Sequence, residues 1–301
     1  MSVLLMTVWL TGCVQEELGS TPSPAGNGIR FTLTVPDVNL PSVSSRTMTG
    51  AGTAKKEDEI ETVDILVFDA SKTPAVYLEW VTATGVTQDL ADNSTVSFSA
   101  KLPFTTASTC IVVVANRELD DIVSGFKKGV TTKVEAMEKM LHTQTGKWLA
   151  DGSTTGGYTR IPMYGEKVIN KITPSMEPIT GINMKRMLAR IDIHNNSVTS
   201  NFTVEEVYLA NYNTTGYIAP PWNTNGQVTE PAPDTPVLPA NSGKMTEEGD
   251  AILYSVKGNT PYDGEIYTFE SLAAEDAGGT GADGEASRKD ATCLIVKGRI
   301  G

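Results

Sequence analysis

Histidine and cysteine are scarce in this 301-residue chain, with two of the first and three of the second. Catalysis and metal binding draw heavily on these side chains, so the shortage narrows both. Neither His142 nor His194 has a partner at metal-ligand spacing, and no nucleophile, base and orienting group fall into a motif. Glu57-Asp58-Glu59 and Glu205-Glu206 read as solvated charge, because sequence alone cannot set two carboxyls at a catalytic separation. Gly156-Gly157 and Gly278-Gly279 do not lead from strand into helix, so they punctuate loops and cradle no phosphate. We therefore expect no catalytic residues, no metal site and no cofactor. Basic residues are also few, 24 against 36 acidic, for a net charge of -12. That balance repels a phosphate backbone and an anionic membrane alike, which argues against nucleic acid as a partner.

The apolar run from Val3 to Leu10 is too short to span a bilayer, for which about 20 residues are needed. It leads straight into Leu10-Thr11-Gly12-Cys13, which reads as a lipoprotein signal with Cys13 as the lipid acceptor. The chemistry needs a thiol at the cut, small residues before it and a short apolar segment in the membrane. Residues 1–13 supply all three and are expected to be signal and lipobox, leaving a mature chain that starts at an acylated, palmitate-bearing Cys13. A basic segment normally precedes such a run, so the expected translation start lies upstream of Met1. Gln15-Glu16-Glu17 resembles the acidic export tag of Bacteroidetes surface lipoproteins, which implies a surface-exposed place on the outer membrane. Residues 14–28, rich in Gly, Ser and Pro, bury little and read as a flexible tether. Cys110 and Cys293 each sit in an apolar stretch and read as buried strand thiols, with a disulfide between them formally open.

Ile29-Arg-Phe-Thr-Leu-Thr-Val35 alternates with period two, and Ile29, Phe31, Leu33 and Val35 form the apolar side of a half-buried strand. Pro36 stops it. Residues 36–56 have almost no apolar spacing and read as a long exposed connection with Arg46 in its middle. Four β-rich runs follow, at 63–68, 75–80, 95–98 and 109–115, separated by turn-forming residues. Such spacing predicts a β-sandwich. One helix interrupts them, expected from a Thr131 cap to Leu141 with Val134, Met137 and Leu141 on one face. Length favours two domains, drawn here at 29–175 and 176–301, the second opening with a strand through Leu188, Arg190 and Asp192. Further β-like runs lie at 202–210, 252–256, 265–269 and 293–296, and residues 220–249 and 273–290 read as long surface loops.

Several segments, in order, carry a resemblance to a known family. They are the lipobox ending at Cys13, Arg46 after the first strand, and Glu61-Thr-Val-Asp-Ile-Leu-Val-Phe68. Val112-Val-Val-Ala-Asn116, Ile161-Pro-Met-Tyr-Gly-Glu166 and Arg186-Met-Leu-Ala-Arg-Ile-Asp192 continue the series, with Ile266-Tyr-Thr-Phe-Glu270 and Cys293-Leu-Ile-Val-Lys-Gly298 closing it. Together they resemble the fimbrillins of Bacteroidetes, subunits of type V pili. The resemblance implies a mainly β chain of two tandem transthyretin-like β-sandwich domains with one short helix in the first. It also implies a cut after Arg46 by an arginine-specific protease, so that Thr47 becomes the new start. The strand bearing Ile29, Phe31, Leu33 and Val35, expected at an edge of the first sandwich, would then leave and be replaced by a strand from a neighbouring subunit. Implied partners are other fimbrial subunits, the protease, and the outer membrane through the lipid before processing; the implied setting is the fimbrium and cell adhesion. Family members run on past the Cys293 strand, whereas this sequence stops at Gly301, as a fragment would or a variant that donates no C-terminal strand. The alternative is a lipid-anchored surface protein that binds a glycan or host protein through its long loops, with Trp222, Tyr212 and Tyr217 stacking on sugar. A pilus anchor subunit that keeps its lipid stands between the two.

Overall fold

The structure, a computed structural model, describes residues 28–35, 58–89, 95–148, 160–191, 193, 201–221, 237–245, 248–255, 266–271 and 291–301. Within them the chain is mainly β. The first half carries β1 (Ile29–Thr34), β2 (Val63–Asp69), β3 (Val76–Thr82), β4 (Thr84–Gln88), β5 (Thr95–Ala100) and β6 (Thr109–Ala115). Two short helices follow, α1 (Asp120–Val123) and α2 (Lys133–Glu138), then β7 (Leu141–Thr143), β8 (Met163–Ile169), β9 (Ile179–Asn183) and β10 (Lys185–Arg186). The remainder holds β11 (Ala189–Ile191), β12 (Phe202–Ala210), β13 (Thr215–Tyr217), β14 (Ile252–Ser255), β15 (Ile266–Thr268) and β16 (Cys293–Ile300).

Two sheets form the sandwich, a four-stranded one in the order β4-β5-β1-β9 and a five-stranded one in the order β10-β8-β6-β2-β3. Side chains alternate across each strand, and here both directions lead to apolar surroundings. Val63, Ile65 and Val67 of β2, with Ile111 and Val113 of β6, point to the four-stranded sheet and meet Phe31, Leu33, Val96 and Phe98. Leu66, Phe68, Cys110, Val112 and Val114 point the other way, onto Leu119, Met137 and Met140 of the helical segment and Ile218, Tyr267 and Phe269 from later in the chain. This two-sided burial explains the uninterrupted apolar runs at 63–68 and 109–115, where a one-sided strand would alternate.

The helix differs from the sequence reading by one residue at its start and three at its end. Thr132, one residue past the expected cap, accepts the Glu135 N–H at 3.2 Å, while the Glu135 carboxylate accepts the Thr132 N–H at 2.8 Å. This is a capping box. Thr131 is not free to cap because its hydroxyl accepts the Lys127 N–H at 2.8 Å. Beyond Glu138 the chain turns, and Leu141 pairs with Tyr217 in the β7–β13 ladder. The buried face is therefore Lys133, Ala136 and Met137, and Lys133 is ion-paired at 2.6 Å with buried Glu166 of β8.

Strands β9 and β10 lie past residue 175 and join the two sheets of the sandwich, β9 beside β1 and β10 beside β8. Between them the chain crosses from one sheet to the other at Met184. The crossing presses on Gly165 of β8, where an added Cβ would stand 2.7 Å from the Asn183 carbonyl oxygen, 2.8 Å from Ile182 Cγ2 and 3.0 Å from Met184 Sδ. Only glycine fits that approach without movement of backbone.

After the crossing, β11 pairs with β15, and β14, β12 and β16 form a three-stranded sheet around Val207, Leu209, Tyr212, Tyr254 and Ile266. Its edge strand β16 overturns one expectation: Cys293 is exposed, and only Cys110 is buried. An apolar run reads as buried, but among the described residues β16 has a single strand neighbour, and most of its side chains are exposed. Both thiols are free.

Replacing Gly165 with Val should lower stability by about 1–3 kcal/mol, the usual cost of forcing methyl groups into a filled space, read as a fall in the urea midpoint. His142 supplies a second measurement. It packs edge-on to Trp148 at 5.3 Å and beside Phe269, and burial, aided by Arg117, depresses its pKa from 6.5. Its folded form resists the proton that the unfolded chain takes up below about 6.5, so stability present at neutral pH falls on acidification. A His142→Gln chain should flatten that acid-side slope in denaturant titrations run from pH 7.5 to pH 5.

Candidate functional site: the slot that holds the first strand

β1 lies inside its sheet, where the sequence reading had set it at an edge. On one side it pairs antiparallel with β5 in unbroken register from Ile29↔Ala100 to Thr34↔Thr95. On the other it runs parallel to β9, pairing Phe31↔Ile179 and Leu33↔Ile182 with an irregularity between. Gly181, at φ +71°, absorbs the extra residue of that bulge. Position in a sheet is set by which distant segments pair, and the local alternation that marks β1 as a strand carries none of that information.

The apolar side of the strand is sealed. Ile29, Phe31, Leu33 and Val35 are exposed by 7%, 1%, 0% and 1% respectively. Phe31 stacks on Phe98 of β5 with centroids 4.9 Å apart and planes within 8°. Leu33 enters the same cluster as Val96, Ile182 and Met184. Arg30 and Thr34 face outward and are exposed. β1 thus fills a slot walled by β5 and β9, floored by the five-stranded sheet and open along its outer side. Its far end stays held as well, since the Met184 N–H donates to the Thr34 carbonyl at 2.8 Å.

The sequence-assigned positions divide sharply. The four strand residues come together in the slot, whereas Cys13, Arg46, Thr47, Trp222 and His194 lie outside the described residues. Val35 and Asp58 are the described residues that flank the segment containing Arg46. Of the aromatic residues considered for sugar stacking, Tyr212 is buried and its hydroxyl donates to the Asp250 carbonyl at 3.2 Å, so its ring belongs to the core. Nearby, Trp148, Tyr212, Tyr267 and Phe269 help line a cavity of about 20 Å³, room for about one water molecule and far short of a ligand site of several hundred Å³.

Among the described residues no group of three or more His, Cys, Asp or Glu side chains is placed to hold a metal ion. The buried trio of Lys133, Glu166 and Cys110 lies sealed behind the five-stranded sheet. There the Cys110 thiol donates to Glu166 at 3.8 Å, and its pKa is pushed up to about 12, chiefly by burial, with Lys133 pulling the other way. A thiol so placed stays protonated and is a poor nucleophile.

Substitution separates the two sides of β1. Phe31→Ala should cost about 3–5 kcal/mol, as for other buried aromatic truncations. Arg30→Ala, on the exposed side, should stay within about 0.5 kcal/mol. Urea denaturation of both variants reads the contrast.

Comparison with known proteins gives one family match and several structural likenesses. The family model described as major fimbrial subunit protein (FimA) matches residues 29–186, more than half of the chain. A fimbrial assembly protein from Parabacteroides distasonis is similar at 12% identity with a TM-score of 0.40, over 90% of this chain and 85% of that one. A candidate cell adhesion protein from the same organism is similar at 17% identity with a TM-score of 0.47, over 91% of this chain and 75% of its own. A candidate polysaccharide-binding protein from Bacteroides thetaiotaomicron is similar at 11% identity with a TM-score of 0.41, over 90% and 76% of the two chains. No curated protein matches the chain.

Proposed function

The chain belongs to the family of major fimbrial subunit proteins, and from that premise we propose that it is a structural subunit polymerised by exchange of its first strand. The family gives the coarse role, a component of a cell-surface fimbrium that acts in pilus formation or adhesion and associates with other fimbrial subunits. The finer reading has three steps. The chain is exported as a lipoprotein anchored in the outer membrane through Cys13. An arginine-specific protease then cuts after Arg46 in the connection that follows β1. Finally β1 leaves, and a strand of a neighbouring subunit takes its slot.

One observation carries this reading: β1 lies between two strands, and more than 20 residues, Arg46 among them, separate Val35 from the next described residue, Asp58. A cut in that connection turns β1 into a separate segment held only by its ladders and its apolar side. Taking about 1.5–3 kcal/mol for each fully buried side chain, Ile29, Phe31, Leu33 and Val35 contribute roughly 6–12 kcal/mol. A whole domain is stable by about 5–15 kcal/mol. The slot therefore does not stay empty at little cost, and it would also bare unpaired N–H and C=O groups on both β5 and β9. A foreign strand that alternates apolar and polar residues satisfies both demands at once, through main-chain bonds and through pockets two residues apart.

Digestion of the purified chain with an arginine-specific protease tests it. A new N-terminus at Thr47 is expected, followed by a ladder of oligomers in size-exclusion chromatography. A synthetic peptide of residues 28–36 added in excess should cap the slot and suppress the ladder. A chain that resists the cut, or that is cut and remains monomeric with β1 in place, rejects the exchange. Cys13 has its own readout, the mass of the N-terminal peptide recovered from cells, which should carry acyl chains.

A further inference from the structure

Where the chain returns to the sandwich, residues 58–61 are gripped from four elements. Gln88, the last residue of β4, accepts the Ile60 N–H at 3.0 Å and donates to the Asp58 carbonyl at 2.7 Å. Asn116, just past β6, accepts the Glu61 N–H at 3.0 Å and donates to the carbonyls of Glu59 at 2.8 Å and Ile161 at 3.0 Å. It does so from a left-handed conformation, φ 59°, which asparagine adopts more readily than most residues. Arg160, ahead of β8, pairs with Glu59 at 3.2 Å and Glu61 at 2.6 Å. Arg186 of β10 pairs with Asp58, and their side chains are only 16% and 15% exposed. Between these anchors Ile60 is buried in the core that the two sheets share.

The strap thus joins β4 of one sheet to elements of the other, and it does so at the level where β1 ends. Gln88 and Leu33 both face Val96, from opposite sides of β5. This matters because β1 is central: without it, the β4–β5 pair loses its bond to β9. β9 remains tied to the other sheet through the crossing at Met184. The β4–β5 pair is tied at its far end, where the Ala83 N–H donates to the Val63 carbonyl at 2.9 Å, and through the mutual Thr105 and Ile172 bonds at 3.0 and 3.2 Å. At the end where β1 departs, the strap is a tie between the sheets among the described residues.

We propose that residues 58–61, with Gln88, Asn116, Arg160 and Arg186 as positioning residues, clamp the two sheets together while the slot is vacant. The incoming strand then meets a preformed groove. The inference rests on the reading of β1 as removable and says what keeps its site in shape. Any cut between Val35 and Asp58 frees β1 and leaves the strap in place, because the strap's bonds to Gln88, Asn116, Arg160 and Arg186 do not run through β1.

A double-mutant cycle in the uncut, full-length chain tests the clamp without requiring cleavage or exchange. Leu33→Ala loosens β1; Gln88→Ala with Arg186→Met loosens the strap. Hydrogen exchange of β4 and β5 is read against β6 in the same sample, so that global unfolding cancels. In the combined chain, protection of β4 and β5 relative to β6 should fall at least about tenfold further than the product of the separate losses, a coupling within the range for shared networks. Arg160→Gln, a milder change, should give the same sign in the Leu33→Ala background. Losses that simply multiply, or β4 and β5 falling only in step with β6, overturn the proposal. Failure of the digested chain to form oligomers would reject strand exchange instead and leave this cycle unaffected.

Discussion

A sheet whose middle strands carry apolar side chains on both faces cannot border water on either. That constraint organises the molecule. β2 and β6 are buried along nearly their whole length, so the five-stranded sheet needs two covering layers. One cover is the four-stranded sheet that contains β1; the other is built from α1, α2, Ile218 and Ala219 just after β13, and Tyr267 and Phe269 in and after β15. The second cover also sets where charge can sit inside the fold. Lys133 comes from α2 and Glu166 from β8, and they meet at 2.6 Å between layers. Removing either partner leaves a buried charge, at a cost of about 3–5 kcal/mol, so the pair fixes the register of helix on sheet more than it adds stability.

The two covers differ in how they are held. The helical cover is continuous with the strands it packs on and cannot leave without unfolding them. The four-stranded cover is built around a strand that more than 20 residues separate from the next described residue, Asp58. Its central position raises the consequence of its loss, because two ladders and four buried side chains go together. It also explains how such a loss could be survived: β9 stays joined to the opposite sheet by the chain crossing at Met184 and by the Lys167 ammonium on the Thr180 carbonyl, and the β4–β5 pair keeps bonds to that sheet that do not pass through β1. A strand lost from an edge would expose one row of backbone groups. Loss from the centre creates a groove with two walls, which selects an incoming strand by direction and by spacing.

Local periodicity marked β1 and β6 but missed the five-residue β4 and the seven-residue β8. Ile29 to Val35 alternates and is a strand; residues 109–115 are continuously apolar and form a strand buried on both faces. The pattern failed where three-dimensional context decides. β9 reads Ile-Thr-Gly-Ile-Asn, and its glycine, needed for the bulge against β1, hides it from any strand signature. β7, β10 and β13 hold two or three residues each, too few to show a period. Cys293 sits among Leu, Ile and Val yet is exposed, since burial of an edge strand depends on what lies beyond it. The grip on residues 58–61 comes from polar residues 28 to 128 positions away, none of which stands out in its own neighbourhood. Pairing of distant segments is the common factor in the misses at β1, β9 and the strap, whereas the shifted helix cap came from a local bond between Lys127 and Thr131.

The same contrast separates the β1 slot from β16. Among the described residues β16 pairs on one side alone, and its Lys297 and Arg299 lie against Glu206 and Glu205 of β12 at 3.4 and 3.2 Å. Pairs so exposed add little stability, but charge along an edge strand opposes its pairing with another chain, because a passing strand must desolvate it. That protection is permanent and mild. The slot under β1 is protected differently, by occupation: its backbone groups are bonded and its pockets filled by the chain's own residues, so nothing sticky is presented at all. On the proposed reading, one cut exchanges complete protection for none, and does so where the strap has already fixed the groove. A subunit built this way can travel alone to the surface and become cohesive only after processing, with the switch residing in the covalent continuity of one connection and not in any change of the sheets themselves.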